Sequence, residues 1–185
     1  MLPIEQLQYA ISLKKVSRVT QNLGRRETAP EHVWGALILA EYFLPRVKRK
    51  LNHTKVLQLL LFHDLVEIEA GDVSFIAKET EAQKIKREYK GFLRLLKKIP
   101  ASMRSHYKKL FHEYEAKKTW EAKFAQAIDK FEPMIHQLEY KGDWKKIGLT
   151  EKLLRRAKQK AMEPFPELLK AFNETIGYCK KRGYL

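Results

Sequence analysis

The sequence predicts an all-α protein, a compact bundle of helices, on three observations. No stretch alternates apolar and polar residues in the manner of a strand. Glycine and proline are sparse and fall between periodic segments. Apolar residues recur at three- and four-residue spacings. The chain has 185 residues, 44% of them apolar, which suffices for one sizeable domain with a full core, so residues 1–185 are read as a single domain.

In chain order, Pro3 opens a first helix with Ile4, Leu7, Ile11 and Val16 on its apolar side, and Arg18 follows in the same or the next turn. Leu23-Gly24-Arg25-Arg26 reads as a break. Thr28-Ala29-Pro30-Glu31-His32 reads as a helix start, because proline is tolerated in a first turn and glutamate there suits the helix dipole. This helix runs to about Leu44, ahead of Pro45. Trp34, Leu37, Ile38 and Phe43 make it apolar on most sides, so a central position is expected. His32 sits near its N-terminus, where an imidazole is more readily kept neutral and available as a ligand.

A basic connector at 46–50 leads to the central helix, about 54–70, closed by Gly71 in the left-handed conformation. Residues 73–78 read as a loop. The stretch 80–98 is an amphipathic basic helix ended by Pro100, and 101–114 is another helix. Thr119 caps a long helix, about 120–139, that Pro133 is expected to bend or restart and that Lys141-Gly142-Asp143 ends. Helices at about 150–161 and 166–180 are expected to cover the core. Trp34, Trp120 and Trp144 are assigned to packing, and His53, His106, His112 and His136 to surface or packing positions.

The net charge is +15, unevenly spread. Residues 84–118 hold 12 basic and 3 acidic side chains and residues 141–185 hold 12 and 5, whereas residues 1–83 are nearly balanced at 11 and 10. Such an excess favours anionic partners, either a phosphorylated metabolite or, weakly, a nucleic acid. No apolar run has membrane-spanning length, and the N-terminus lacks a signal-peptide pattern, so no membrane association is expected. A lone Cys179 cannot form an internal disulfide, which fits a reducing cytoplasm.

Chemistry gathers in Leu60-Leu61-Phe62-His63-Asp64-Leu65-Val66-Glu67-Ile68-Glu69-Ala70-Gly71-Asp72. Four ionisable side chains, His63, Asp64, Glu67 and Glu69, interrupt a buried-type apolar run, and buried charges need partners. On an α-helix His63 and Glu67 share a face, while His63 and Asp64, about 100° apart, cannot face each other but can converge on a third body. A divalent metal suits that imidazole–carboxylate pair. His32 and Asp129 are further ionisable groups on otherwise apolar helices. Two nitrogens and two carboxylate oxygens leave coordination positions open, as a catalytic metal requires.

The order His32, His63-Asp64, Asp129 on helices resembles the HD-domain metal-dependent phosphohydrolases, and within them the small single-domain 5′-deoxynucleotidase group. Arg18, Glu27-Thr28-Ala29-Pro30-Glu31-His32, His63 through Asp72, and Glu113-Tyr114-Glu115 leading to Asp129-Lys130-Phe131-Glu132 carry the resemblance, which spans about 18–140. It implies a compact HD-type bundle in which His32, His63, Asp64 and Asp129 hold one divalent ion (Co, Mn, Mg, Fe or Zn). Glu67 would orient the metal-bound water. Asp72 would help activate that water or protonate the leaving oxygen, and Arg18 would bind the phosphate. The implied reaction removes phosphate from (deoxy)nucleoside 5′-monophosphates, and a homodimer is implied as well. The competing readings are a phosphohydrolase of another phosphorylated metabolite or of nucleic-acid ends, and a basic nucleic-acid-binding module on the same scaffold.

Overall fold

The computed structural model describes residues 2–22, 24–74, 77, 79–140, 144 and 148–185, with the side chains of 21 and 22 left aside. The predicted helix end at 141–143, Leu23 of the predicted break and residues 75, 76 and 78 of the predicted loop lie outside that description.

Caps set where the helices begin. The first, α1 (Pro3–Ala10), starts on its proline and passes into a 3-10 turn at Ile11–Lys15. In α2 (Ala29–Phe43), Glu31 accepts the Thr28 backbone N–H at 2.8 Å and the Thr28 hydroxyl at 3.0 Å. Asn52 caps α3 (His53–Phe62) by accepting the Lys55 N–H at 3.0 Å. A short α4 (Glu67–Ala70) follows, then α5 (Glu81–Lys98), capped by Thr80, and α6 (Ala101–Ala116). Thr119 accepts the Ala122 N–H to start α7 (Trp120–His136). The next helix, α8, opens at Glu151–Leu154, widens into a π turn at Arg155–Gln159 and closes at Lys160–Met162, and α9 is Pro166–Lys181.

The architecture is helical as predicted, with four local differences. First, the segment carrying Arg18 is a strand, β1 (Ser17–Asn22), paired antiparallel with β2 (Arg25–Thr28). Val16, Val19, Thr20 and Thr28 are β-branched, and Gly24 takes φ +78° in the turn between the strands. The register slips between Ser17 and Gln21, and Arg18 lies within the slip, where a bulge re-aims side chains. Second, α2 is central on one side only, since Trp34 and Ile38 are 67% and 50% exposed. Third, the central helix is not one α-helix: it tightens into a 3-10 turn at His63–Val66 between α3 and α4. Gly71 has the expected positive φ of 71°, but its ψ of 156° is extended rather than left-handed helical. Fourth, α7 runs through Pro133 to His136, although a proline there cannot donate to the Asp129 carbonyl.

The core is two apolar clusters. The larger joins α2, α3, α7, α8 and α9 through residues such as Ala36, Leu60, Ile128, Phe131, Met162 and Phe172. Trp144 is buried there, its indole N–H bonded to the Gln137 carbonyl at 2.8 Å. The smaller joins the 3-10 turn (Leu65, Val66) to α5 and α6, with Phe92 stacked on Phe111 at 4.1 Å between ring centroids. Phe62 packs against both clusters. Among the described residues no helix is long and apolar enough to cross a membrane.

The approach of α5 to α4 depends on Gly91, where a Cβ would meet Ala70 Cβ at 3.0 Å and the Ala70 nitrogen at 3.3 Å. Gly91→Val is therefore expected to lose about 1–3 kcal/mol in denaturant unfolding. Gly177, in α9 with nothing within 4 Å of its position, is the control: Gly177→Ala should be neutral or gain up to about 1 kcal/mol. Equal losses from both would contradict the close approach.

Candidate metal centre

Three elements bring the four expected ligands together. His32 comes from the first turn of α2, His63 and Asp64 from the 3-10 turn, and Asp129 from the middle of α7. His32 Nε2 lies 3.0 Å from Asp129 Oδ1 and 3.9 Å from Asp64 Oδ2. His63 Nε2 lies 3.0 Å from Asp64 Oδ1 and 3.5 Å from Asp129 Oδ1. The expectation that His63 and Asp64 could not face each other is thus corrected: the two side chains leave the backbone in different directions, but their polar ends do meet. The 3-10 turn changes what Glu67 lies over. In a 3-10 turn, residues three apart eclipse, which stacks Glu67 on Asp64 rather than on His63.

Outer partners fix the orientation of each group. His63 Nδ1–H donates to the Leu60 carbonyl at 2.7 Å, which leaves Nε2 as the lone-pair nitrogen, and that buried atom has no hydrogen-bond partner among the described residues. His32 Nδ1–H donates to Glu132 Oε2 at 2.6 Å. The Tyr114 hydroxyl donates to Asp129 Oδ2 at 2.9 Å, so Oδ1 is the oxygen turned toward the histidines. Carboxylate-backed histidines and an anchored aspartate are the usual outer arrangement of metal ligands. One ligand atom each from His32, His63 and Asp129 falls within 4.8 Å of the others, and Asp64 adjoins them. The donor set fits a divalent ion.

The charges are strongly coupled. Burial alone would lower the His32 pKa, but Asp129 and Glu132 overturn this and hold it up to about 10. Burial would raise Asp129, yet His32 and His63 hold it well below the usual carboxylate range. Glu67 is pushed well above that range, by burial first and then by Asp64 and Asp72. Its Oε2 is an enclosed oxygen without a hydrogen-bond partner among the described residues. Arg18 Nη1 lies 3.3 Å from Asp64 Oδ2, and its charge is also favoured by Glu67 and Asp72. Asp72 follows Gly71, partly exposed, at the rim of this acidic group. A cavity of about 150 Å³, lined by His63, Asp64, Glu67, Lys84, Tyr114 and Asp129, opens beside the ligands.

Sequence reasoning did not single out Glu27, Glu132 or the anchoring role of Tyr114. Glu27 is buried, bonded to the Thr20 hydroxyl and 3.4 Å from Arg18 Nε, so it holds the guanidinium from behind. A glutamate three residues after Asp129 lies on the same helix face, a spacing that marks Glu132 as a neighbour of the site.

An all-helical bundle with a buried pair of histidines and a pair of aspartates converging beside an acidic cleft is the architecture of a metal-dependent hydrolase. The chain belongs to the HD domain family, whose model matches residues 10–169. It is similar to the 5′-deoxynucleotidase HDDC2 of Xenopus laevis (27% identical over 139 residues, 74% of this chain and 68% of that one) and of Homo sapiens (28% over 131 residues, 69% and 63%). The matched stretch thus spans about two-thirds of the length of these curated relatives. Among solved structures, one described as a predicted metal-dependent phosphohydrolase from Magnetospirillum magnetotacticum superposes with a TM-score of 0.86 at 30% identity, covering 98% of this chain and 93% of that one.

A cation that takes His32 Nε2 must displace the proton held there at neutral pH. Because the His32 pKa is raised, to about 10, apparent metal affinity should climb as pH rises toward that value. Calorimetry in buffers of differing ionisation enthalpy should register proton release on Mn(II) or Co(II) binding, and an affinity flat between about pH 6 and about pH 9 would contradict it. Glu132→Ala should weaken binding by about 10–100-fold.

Proposed function

We propose that the protein is a divalent-metal-dependent phosphomonoesterase that removes phosphate from nucleoside 5′-monophosphates, the deoxy forms among them. The observation that carries this reading is the pairing of a four-ligand centre with the enclosed, unpartnered Glu67 Oε2 beside it. Similarity to the 5′-deoxynucleotidases supports the substrate class.

In this reading His32, His63, Asp64 and Asp129 hold one ion, with Co, Mn, Mg, Fe and Zn as candidates. Such an ion polarises a phosphoryl oxygen and acidifies water. Glu67, whose pKa is raised by burial and by Asp64, orients the attacking water and takes its proton. Arg18, held by Glu27, offers its guanidinium to phosphate oxygens, a match in shape as well as charge. The water oxygen bonds to phosphorus as the P–O5′ bond breaks in line. Asp72 either assists the water or delivers a proton to the departing 5′-oxygen, and nucleoside and inorganic phosphate leave.

The whole of residues 1–185 is proposed as one domain, with Phe62 bridging its two clusters. A homodimer is proposed on the exposed stripe Trp34, Ile38 and Tyr42, spaced four residues apart along one side of α2. A reducing cytoplasm is proposed from the single, buried Cys179. The weak nucleic-acid affinity inferred from the +15 charge stays with the competing reading.

Phosphate release from 5′-, 3′- and 2′-nucleotides, ribo and deoxy, by protein reloaded with each metal tests the reaction. Release should be confined to 5′-monophosphates and absent in Asp64→Ala. Silence across the panel would overturn the nucleotidase reading, and salt-sensitive DNA or RNA binding by Asp64→Ala would favour the competing one. Glu67→Gln should lower kcat by about 10²–10⁴. Arg18→Ala should lower kcat/KM by about 10–100-fold, the worth of a charged hydrogen bond.

A further inference from the structure

Behind His32, away from the cleft, Glu27, Glu132 and His136 form a second cluster. Glu27 comes from β2, while Glu132 and His136 lie one turn apart on α7. One ligand atom from each falls within 4.8 Å of the others. The two glutamates are 1% and 4% exposed. Each turns one oxygen toward the first centre: Glu27 Oε2 takes the Thr20 hydroxyl and faces Arg18 Nε, and Glu132 Oε2 takes the His32 N–H. Glu27 Oε1 faces the other way. It is buried, has no hydrogen-bond partner among the described residues and lies 3.9 Å from His136 Nε2. Gly35 keeps room for this arrangement, because a Cβ there would collide with Glu132 Oε1 and approach its carboxyl carbon to 3.0 Å.

We propose that Glu27, Glu132 and His136 form a second divalent-cation site, separate from the His32–His63–Asp64–Asp129 centre and joined to it through Glu132. Two carboxylate oxygens and an imidazole nitrogen suit Mn, Co, Fe or Zn. Ligands bound at about 2.0–2.2 Å lie within about 4.4 Å of one another, so the observed spread needs to close by only a few tenths of an ångström. The charge balance points the same way. Glu27 shares one guanidinium, Arg18, with Asp64, and Glu132 has a single imidazole, His32, against one of its oxygens. Buried anions without a counter-charge are strongly disfavoured. A cation held by Glu27 Oε1, the second oxygen of Glu132 and His136 supplies that charge. The alternative is His136 paired directly with the glutamates and no ion.

The proposal does not depend on which substrate is hydrolysed, so its test counts ions. Full-length wild type, His136→Ala, Asp64→Ala and the double variant would be loaded with Mn(II), desalted and assayed for metal per chain. The expected result is one ion fewer for His136→Ala than for wild type, and a further loss when Asp64→Ala is added. Equal metal content in wild type and His136→Ala overturns the proposal in favour of the direct pairing. A readout that needs no variant uses the folded wild type: Zn(II) added beyond the first equivalent should shift the imidazole nitrogen resonances of His136 in NMR. Unmoved His136 resonances at saturating Zn(II) would also overturn it.

Discussion

Gathering the buried His32, His63 and Asp64 and the half-buried Asp129 into one cluster is the constraint that the rest of the structure serves. Like charges and unpaired polar atoms are expensive away from water. Each of the four is therefore tied to something outside the group: His63 to the Leu60 carbonyl, His32 to Glu132, Asp129 to Tyr114, Asp64 to Arg18. Those ties do more than offset burial. They choose the ring nitrogens and carboxylate oxygens that remain for a ligand, so the outer partners decide the chemistry of the inner atoms.

Backbone geometry does the aiming. A regular α-helix from 53 to 70 would set Glu67 over His63. The 3-10 turn instead stacks it over Asp64, and the side chains of His63 and Asp64 reach across to meet at 3.0 Å. The hairpin brings Arg18 to the same place from a distant part of the sequence, through the register slip in β1. Irregular backbone carries the side chains of both of these segments to the centre, and it also occurs elsewhere, in the π turn of α8.

Helix starts were legible because Thr28, Thr80, Thr119 and Thr150 are capping residues at the head of periodic segments. The His63–Asp72 segment was legible because four ionisable residues in an apolar run have few inexpensive explanations. The structure places His32, His63, Asp64 and Asp129 side by side, with Glu67 and Arg18 adjoining. The hairpin was not legible: its strands are short, one is bulged, and nine of its ten strand residues are polar, so alternation never accumulates. Nor was the exposure of Trp34, since periodicity identifies an apolar face without saying what covers it. Glu27 was assigned no role because a lone buried glutamate carries no spacing signal, and its role is visible only when Arg18 lies against it.

The two apolar clusters meet at Phe62, and the four candidate ligands are drawn from both sides of that seam. His32 and Asp129 ride on helices of the larger cluster, whereas His63 and Asp64 belong to the turn whose next two residues, Leu65 and Val66, enter the smaller one. An ion held there would act as a rivet across the joint. It would resist shear between the halves without adding apolar contact, stabilising the folded chain in proportion to the logarithm of its occupancy ratio. Loading the centre and stiffening the molecule would then be, in this fold, the same event.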